Sequence, residues 1–227
     1  MGIEAKFKQV SPYLLEKLKK YPDFAQLFFD AKYLPDSPLW QKFTINSDDP
    51  DDVELFDEYS NFAAKTLQKL AVETLQKLKE EKPEEFEKLK ADIPVIIEEG
   101  KAEYFDADKT WREIHFLLTG YDYSVRLNFL VGENEEDGLP SINAVLSGNE
   151  IEHEATYGLV RYLTADEVKQ VAEALSKYSH AMIKERLKFR GWQEDYFDHL
   201  FDYKYYPLVR YYQDAAEKGN AMFLYLS

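Results

Sequence analysis

The stretch AMFLYL, Ala221–Leu226, constrains the fold of this chain more than any other feature of its sequence. A strand with one face in water alternates apolar and polar residues, because successive side chains point to opposite faces of the sheet. These six residues do not alternate, so both faces of the strand must be covered. Gly219, just before them, is a natural end for a preceding helix. We therefore predict an interior strand with a neighbouring strand on each side.

Helical and strand-like patterns alternate along the rest of the chain. Apolar residues recur at helical spacing over Tyr59–Glu81, and Thr164 with Glu167 forms a capping box that begins another helix. Ser141–Leu146 and Tyr157–Leu163 have the short patterns of strands. This interleaving favours the α/β or α+β class, with a mixed sheet of about four to five strands flanked by helices. At 227 residues the chain fits a single domain.

A strongly acidic segment, NSDDPDDVELFDE, covers Asn46–Glu58. Its consecutive aspartates and Pro50 predict a loop. We interpret residues 46–92 as an acidic helical insertion, peripheral to the core of the single domain 1–227. The run lacks the residue order of an EF-hand calcium loop. No metal site is therefore predicted at its four aspartates, Asp48, Asp49, Asp51 and Asp52.

The charge balance argues against several classes of partner. The chain has 28 lysines and arginines against 43 aspartates and glutamates, which gives a net charge of −15. Such a surface repels phosphate backbones and anionic membranes, so we expect neither nucleic acid nor membrane as a partner. Cysteine is absent, which excludes disulfide bonds and thiolate chemistry. No leader peptide and no membrane-spanning run is visible in the sequence. We expect a cytoplasmic protein.

The motifs of common enzymes are absent as well. The sequence contains no GxGxxG, no P-loop lysine and no GxSxG. We therefore expect no cofactor and favour a non-catalytic role, although an enzyme without a recognisable motif would have the same appearance.

The most suggestive stretch is KTWREIHFLLTG, Lys109–Gly120. On a helix, Trp111 and His115 fall on one apolar face, which predicts that His115 is more than half buried beside Trp111. Two interpretations are open. A lone histidine on an apolar face is commonly a core residue, but the pair is also a candidate ligand site.

A second suggestive stretch is YGLVRYLTADEV, which contains Tyr157 and Arg161. An arginine at a strand end can hold a carboxylate or phosphate with two hydrogen bonds, or it can pair with one of the many acids of this chain. Taken together, the two stretches define a candidate pocket formed by Trp111, His115, Tyr157 and Arg161.

Four stretches resemble the YfbM-like family, a bacterial group without a known function. They are FDADKTWREIHFLLTG, INAVLSG, YGLVRYLTADEVKQVAEAL and YYQDAAEKGNAMFLYL, and the N-terminal FKQVSPYLLEKL is similar to the opening of the family. The resemblance implies a compact α/β domain with a mixed sheet between helices, and it implies no activity, cofactor or catalytic residue. The positions that match the family motif are Asp108, Lys109, Trp111, His115, Gly120, Tyr157, Gly158, Tyr162 and Leu163.

Two interpretations of function follow. In the first, this is a non-catalytic acidic protein that binds a basic protein partner, such as a toxin that it neutralises. Its support is the charge of −15 and the aromatic residues of Trp192–Tyr212. In the second, it binds or converts a small molecule in the candidate pocket. The sequence favours the first interpretation, and a concave pocket lined by the four candidate residues would favour the second.

Overall fold

The computed structural model describes residues 2–34, 36–42, 50–189 and 200–227, with the backbone alone at 41–42, 50–60, 63 and 189. The chain divides into two compact units. Unit 1 consists of Met1–Leu15 and Tyr104–Ser227, and unit 2 consists of Glu16–Glu103. The units are described separately below.

Nine α-helices and seven strands occur in the described residues. In chain order, the helices are α1 (Pro12–Lys20), α2 (Ala25–Asp30), α3 (Pro50–Glu81), α4 (Pro83–Leu89), α5 (Ile93–Lys101), α6 (Trp111–Thr119), α7 (Ala165–Lys177), α8 (His180–Phe189) and α9 (Tyr206–Lys218). The strands are β1 (Ala5–Val10), β2 (Tyr104–Asp106), β3 (Val131–Glu133), β4 (Pro140–Ile142), β5 (Asn149–Ala155), β6 (Gly158–Leu163) and β7 (Ala221–Leu226). The predicted combination of helices with a sheet is confirmed.

The main sheet of unit 1 has five strands in the order β2-β1-β7-β6-β5, and β3 pairs with β4 in a separate two-stranded sheet. All of these pairings are antiparallel. The five strands match the predicted number, but the expected mixture of strand directions is wrong. The turn at Thr156–Tyr157 explains one antiparallel pair, because a two-residue turn can join only antiparallel neighbours. The strand predicted at Ser141–Leu146 is shorter and ends at Ile142.

The strand β7 lies in the middle of the main sheet, between β1 and β6, so the predicted interior position is confirmed. Met222 and Leu224 belong to the large hydrophobic core of unit 1. On the opposite face, Ala221 and Phe223 are buried as well. The absence of polar alternation in this strand therefore reflects burial of both its faces.

The helices of unit 1 begin and end at the signals present in the sequence. Gly120 and Gly219 adopt left-handed conformations at the ends of α6 and α9, with φ values of 77° and 67°. Thr164 and Glu167 form the predicted capping box of α7. Pro207 lies in the first turn of α9, directly after a π-helical turn at Phe201–Tyr205.

Unit 2 is helical. Asn46–Asp49 lie outside the described residues, but the rest of the predicted acidic loop is the first part of α3, so the loop prediction is wrong from Pro50 onwards. Proline suits the first turn of a helix, where its missing N–H would have no partner. The helix α5 approaches α2 closely, since a Cβ on Gly100 would lie 2.5 Å from the carbonyl oxygen of Phe28. That residues 46–92 are an insertion stays a prediction.

None of the described helices, including the 32-residue α3, combines the length and apolar character that crossing a bilayer requires.

A buried ion pair organises one end of the unit 1 core. Arg186 on α8 is fully buried, and its guanidinium donates to Asp137 from Nε (2.7 Å, to Oδ2) and from Nη2 (3.2 Å, to Oδ1). The same guanidinium donates to the carbonyl oxygen of Leu117 at 2.9 Å and to that of Pro140 at 3.1 Å. It also donates to the Tyr178 hydroxyl at 2.7 Å. A cation without access to water is thus satisfied by carboxylate, carbonyl and hydroxyl oxygens.

The loop that carries Asp137 is folded around Asn134. The side-chain oxygen of Asn134 accepts hydrogen bonds from the backbone N–H groups of Glu136 (2.8 Å) and Asp137 (3.1 Å). Its side-chain nitrogen donates to the carbonyl oxygen of Thr119 at the end of α6. The acidic segment Gly132–Gly138 therefore supports the fold by presenting one carboxylate to Arg186.

We predict that Asp137→Ala lowers the free energy of unfolding by about 3–5 kcal/mol, because it leaves a buried guanidinium without its counter-charge. Denaturant unfolding at neutral pH measures the change. The control is Asp202→Ala, which removes an exposed carboxylate and is expected to cost less than about 0.5 kcal/mol. Equal, small effects of the two substitutions would contradict the structural role of the ion pair.

Candidate functional site

A cavity of about 880 Å³ lies within unit 1, and the four candidate residues Trp111, His115, Tyr157 and Arg161 all line it. Leu224 and Arg161 face each other across β7 and β6, so they lie on the same face of the sheet. The cavity is further lined by α6 and by the segments 123–130 and 143–150. The sequence pattern therefore selected residues that the fold brings together. That they bind a ligand stays a prediction.

Trp111, at the start of α6, is held in place from two sides. Its indole N–H donates to the carbonyl oxygen of Ile3 at 2.8 Å, and its ring packs edge-on against Tyr123 with the centroids 5.5 Å apart. The Arg112 guanidinium lies 4.4 Å from the centre of the Tyr123 ring. Because its N–H is already bonded, Trp111 contributes apolar surface to the cavity.

His115 is only 1% exposed, as the helical stripe predicted, and it shares the cavity wall with Trp111. Within the described residues, neither ring nitrogen has a hydrogen-bond partner. Burial lowers the pKa of His115 from 6.5 to about 4, and the nearby charge of Asp122 only partly opposes this change. At neutral pH the side chain is therefore an uncharged imidazole with one unused donor and one unused acceptor.

Ser147 is a second buried polar group at the cavity wall. It is 7% exposed, and its hydroxyl oxygen has no partner in the part of the chain that the structure describes. Gly148 follows with a φ of 99°, and a Cβ at this position would lie 2.4 Å from the carbonyl oxygen of Tyr162. Only glycine satisfies both the left-handed backbone and the close approach, so the turn that carries Ser147 is fixed against β6.

Tyr157 and Arg161 occupy the more exposed part of the lining. The Tyr157 backbone N–H donates to the carbonyl oxygen of Leu226 at 3.2 Å, which ties the turn between β5 and β6 to β7. Arg161 donates to the carbonyl oxygen of Leu146, and its Nε lies 3.7 Å from a carboxylate oxygen of Glu150. Arg161 is thus engaged by protein groups, which agrees with its alternative interpretation as the partner of an acid.

Arg126 is the cation of this lining that has no such partner in the described part of the chain. It is exposed, and no hydrogen bond or ion pair engages its side chain within the described residues. Sequence reasoning missed both Arg126 and Ser147. Neither stands in a recognisable motif, and only the Ser-Gly dipeptide at 147–148 signalled a turn.

The arrangement suits binding better than nucleophilic catalysis. A serine nucleophile needs a base within hydrogen-bond reach, but His115 and Ser147 are not bonded to each other in the described structure. A histidine with a pKa of about 4 is also a weak base at neutral pH. Among the described residues, no group of three or more His, Asp or Glu side chains is placed to hold a metal ion.

The aromatic C-terminal segment, Trp192–Tyr212, lies partly outside the described residues. Of the part that is described, Phe201, Tyr205 and Tyr212 are buried and belong to the core of unit 1. Burial raises the pKa of Tyr205 and of Tyr212 well above the ordinary value. These residues act as core and not as an exposed aromatic patch.

We predict that His115 makes the folded protein sensitive to acid. The unfolded chain binds a proton near pH 6.5 and the folded imidazole only near pH 4, so stability is lost as the pH falls through this window. The expected loss is about 3 kcal/mol, at 1.36 kcal/mol for each pKa unit. Between pH 7 and pH 4, the unfolding free energy of the natural chain should fall by about 3 kcal/mol more than that of His115→Gln. A constant difference across the range would contradict the prediction.

Comparison with known proteins gives the family but not the activity. No curated protein and no solved structure matches the chain. A family model described as a domain of unknown function, DUF1877, matches residues 63–225, which is well over half of the chain. The match includes the residues that line the cavity, except Leu226, and part of the predicted insertion. The chain therefore belongs to the DUF1877 family of domains of unknown function.

Proposed function

We propose that this protein binds a small molecule in the cavity of unit 1, with His115 and Ser147 as its hydrogen-bonding residues. The observation that carries the proposal is the presence of two buried polar side chains, without partners among the described residues, in the wall of one cavity. Buried polar groups in folded proteins are almost always paired. A ligand that bonds to both would supply the missing partners.

The energetics support the same proposal. Leaving a buried donor or acceptor without a partner costs about 1–3 kcal/mol. Apolar residues at these two positions would avoid that cost. A side chain that is kept at a cost to stability is typical of a functional site.

The cavity has the size of a ligand site, and its lining combines polar and apolar surface. Its volume of about 880 Å³ falls within the range of about 300–1,000 Å³ that small-molecule sites have. Apolar surface comes from buried residues such as Trp111, Val145 and Leu224. The polar groups of the lining can orient a ligand while the apolar area supplies affinity.

We propose three further properties of this protein. A basic protein partner rests on the net charge of −15, and a cytoplasmic location rests on the absence of cysteine. The third is that the DUF1877 and YfbM-like families are one. It is supported by the motif stretch Phe105–Gly120, which lies inside the matched range 63–225.

The test is a screen of polar metabolites and fragments against the ¹⁵N-labelled protein. We expect binders to shift the indole N–H signal of Trp111 and the amide signal of Gly148. At about 100 times its Kd, a binder should add about 2.7 kcal/mol to the unfolding free energy. Ser147→Ala and His115→Gln should reduce the effect.

The matched control is Ser176→Ala, an equally small change at an exposed position of α7 outside the cavity, which should bind as the natural chain does. If no small molecule shifts the cavity signals, the proposal is wrong. If binders act equally on Ser147→Ala and Ser176→Ala, the site lies elsewhere.

A further inference from the structure

The cavity lining divides into a buried part and an exposed part with different chemistry. His115, Ser147 and Trp111 are buried, and the two hydrogen-bonding groups among them are uncharged at neutral pH. Arg126, Asn128 and Tyr157 are exposed. A molecule that fills the cavity therefore meets neutral polar groups and apolar surface at its buried end, and charge and water at its outer end.

The buried end excludes a charged group. An ion there would lose its hydration, and within the described lining no oppositely charged side chain is buried beside it to compensate. A neutral imidazole offers one donor and one acceptor, and a serine hydroxyl offers both. The group that satisfies them best is one that also donates and accepts, such as a hydroxyl.

The outer end favours a single negative charge. Among the described residues, four charged side chains line the cavity: Arg126, Arg161, Glu150 and Glu167. Arg161 lies 3.7 Å from Glu150, and Glu167 accepts hydrogen bonds from the backbone N–H and the hydroxyl of Thr164. Arg126 is thus the cation that remains available in the described lining. One guanidinium matches a carboxylate, which it can bind through two hydrogen bonds.

We infer that the cavity binds a hydroxylated aromatic or aliphatic carboxylate, with its hydroxyl group at His115 and Ser147 and its carboxylate at Arg126. This assignment rests on the proposed function of the cavity as a small-molecule site. Beyond that function, the assignment specifies the chemical class of the ligand and the direction in which the ligand lies in the cavity. Trp111 and Leu224 line the same cavity and offer apolar surface to the body of the ligand.

Three small probes test the assignment. They are 4-hydroxyphenylacetate, phenylacetate, which lacks the hydroxyl, and 4-hydroxyphenethyl alcohol, which lacks the charge. We expect 4-hydroxyphenylacetate to bind most tightly, with each of the other two weaker by about fivefold in Kd, which is the effect of one hydrogen bond or one exposed ion pair. Titrations followed at the Trp111 indole and Gly148 amide signals give the three Kd values.

Arg126→Gln should weaken 4-hydroxyphenylacetate by about fivefold and leave 4-hydroxyphenethyl alcohol unchanged. Arg210→Gln is the matched control, because it removes the same charge at an exposed position of α9 outside the cavity. It should change neither Kd.

The outcomes separate this inference from the proposed function. If the uncharged probe binds as tightly as the acid, or if Arg126→Gln has no effect, the assignment of a carboxylate is overturned while the cavity remains a binding site. If phenyl phosphate binds more tightly than 4-hydroxyphenylacetate, the preference for a carboxylate is wrong. If none of these probes binds while other small molecules shift the cavity signals, the ligand class is wrong and the proposed function stands. If no molecule shifts them, both fail.

Discussion

The ion pair between Arg186 and Asp137 is the interaction on which the geometry of unit 1 depends most. The end of a helix leaves carbonyl groups without intrahelical partners. At the end of α6, the guanidinium of Arg186 and the hydroxyl of Tyr178 both donate to the carbonyl oxygen of Leu117. Burial raises the pKa of Tyr178 to about 12, so this hydroxyl keeps its proton. The position of α6, and with it the cavity wall, follows from this satisfied buried network.

The opposite end of α6 is fixed by a single long-range hydrogen bond, from the Trp111 indole to the carbonyl oxygen of Ile3. With both ends held, the helix places His115 in the cavity wall without a hydrogen-bond partner among the described residues. Two buried side chains of unit 1, Arg186 and His115, differ in their hydrogen bonding. Arg186 is buried and satisfied by several oxygen atoms, whereas His115 is buried and left unsatisfied. On the function proposed above, a ligand supplies the partner that the imidazole of His115 lacks among the described residues.

Local signals in the sequence predicted those features that depend on local physics. The interior strand β7, the capping box of Thr164 and the burial of His115 beside Trp111 each follow from periodicity or capping chemistry. The helical start of α3 differs from the loop that the aspartates and Pro50 predict, because proline is well placed in the first turn of a helix.

The features that sequence reasoning did not find depend on distant parts of the chain. Asp137 and Arg186 are 49 positions apart, and nothing in the acidic segment around Asp137 distinguishes it from its neighbours. Ser147 and Arg126 join the site only because the segments that carry them fold over the same face of the sheet as Arg161. Antiparallel rather than mixed pairing is likewise decided by how the chain crosses the sheet and not by the pattern within any strand.

We propose that His115 is present for a ligand and not for the fold. The most direct test is the unfolding free energy of His115→Leu at pH 7 without added ligand, compared with that of the natural chain. Leucine fills a similar volume and needs no hydrogen bond, so the account predicts a variant that is as stable as the natural chain or more stable by about 1–3 kcal/mol. A loss of more than about 2 kcal/mol would mean that the imidazole is bonded within the folded protein, and it would contradict the account.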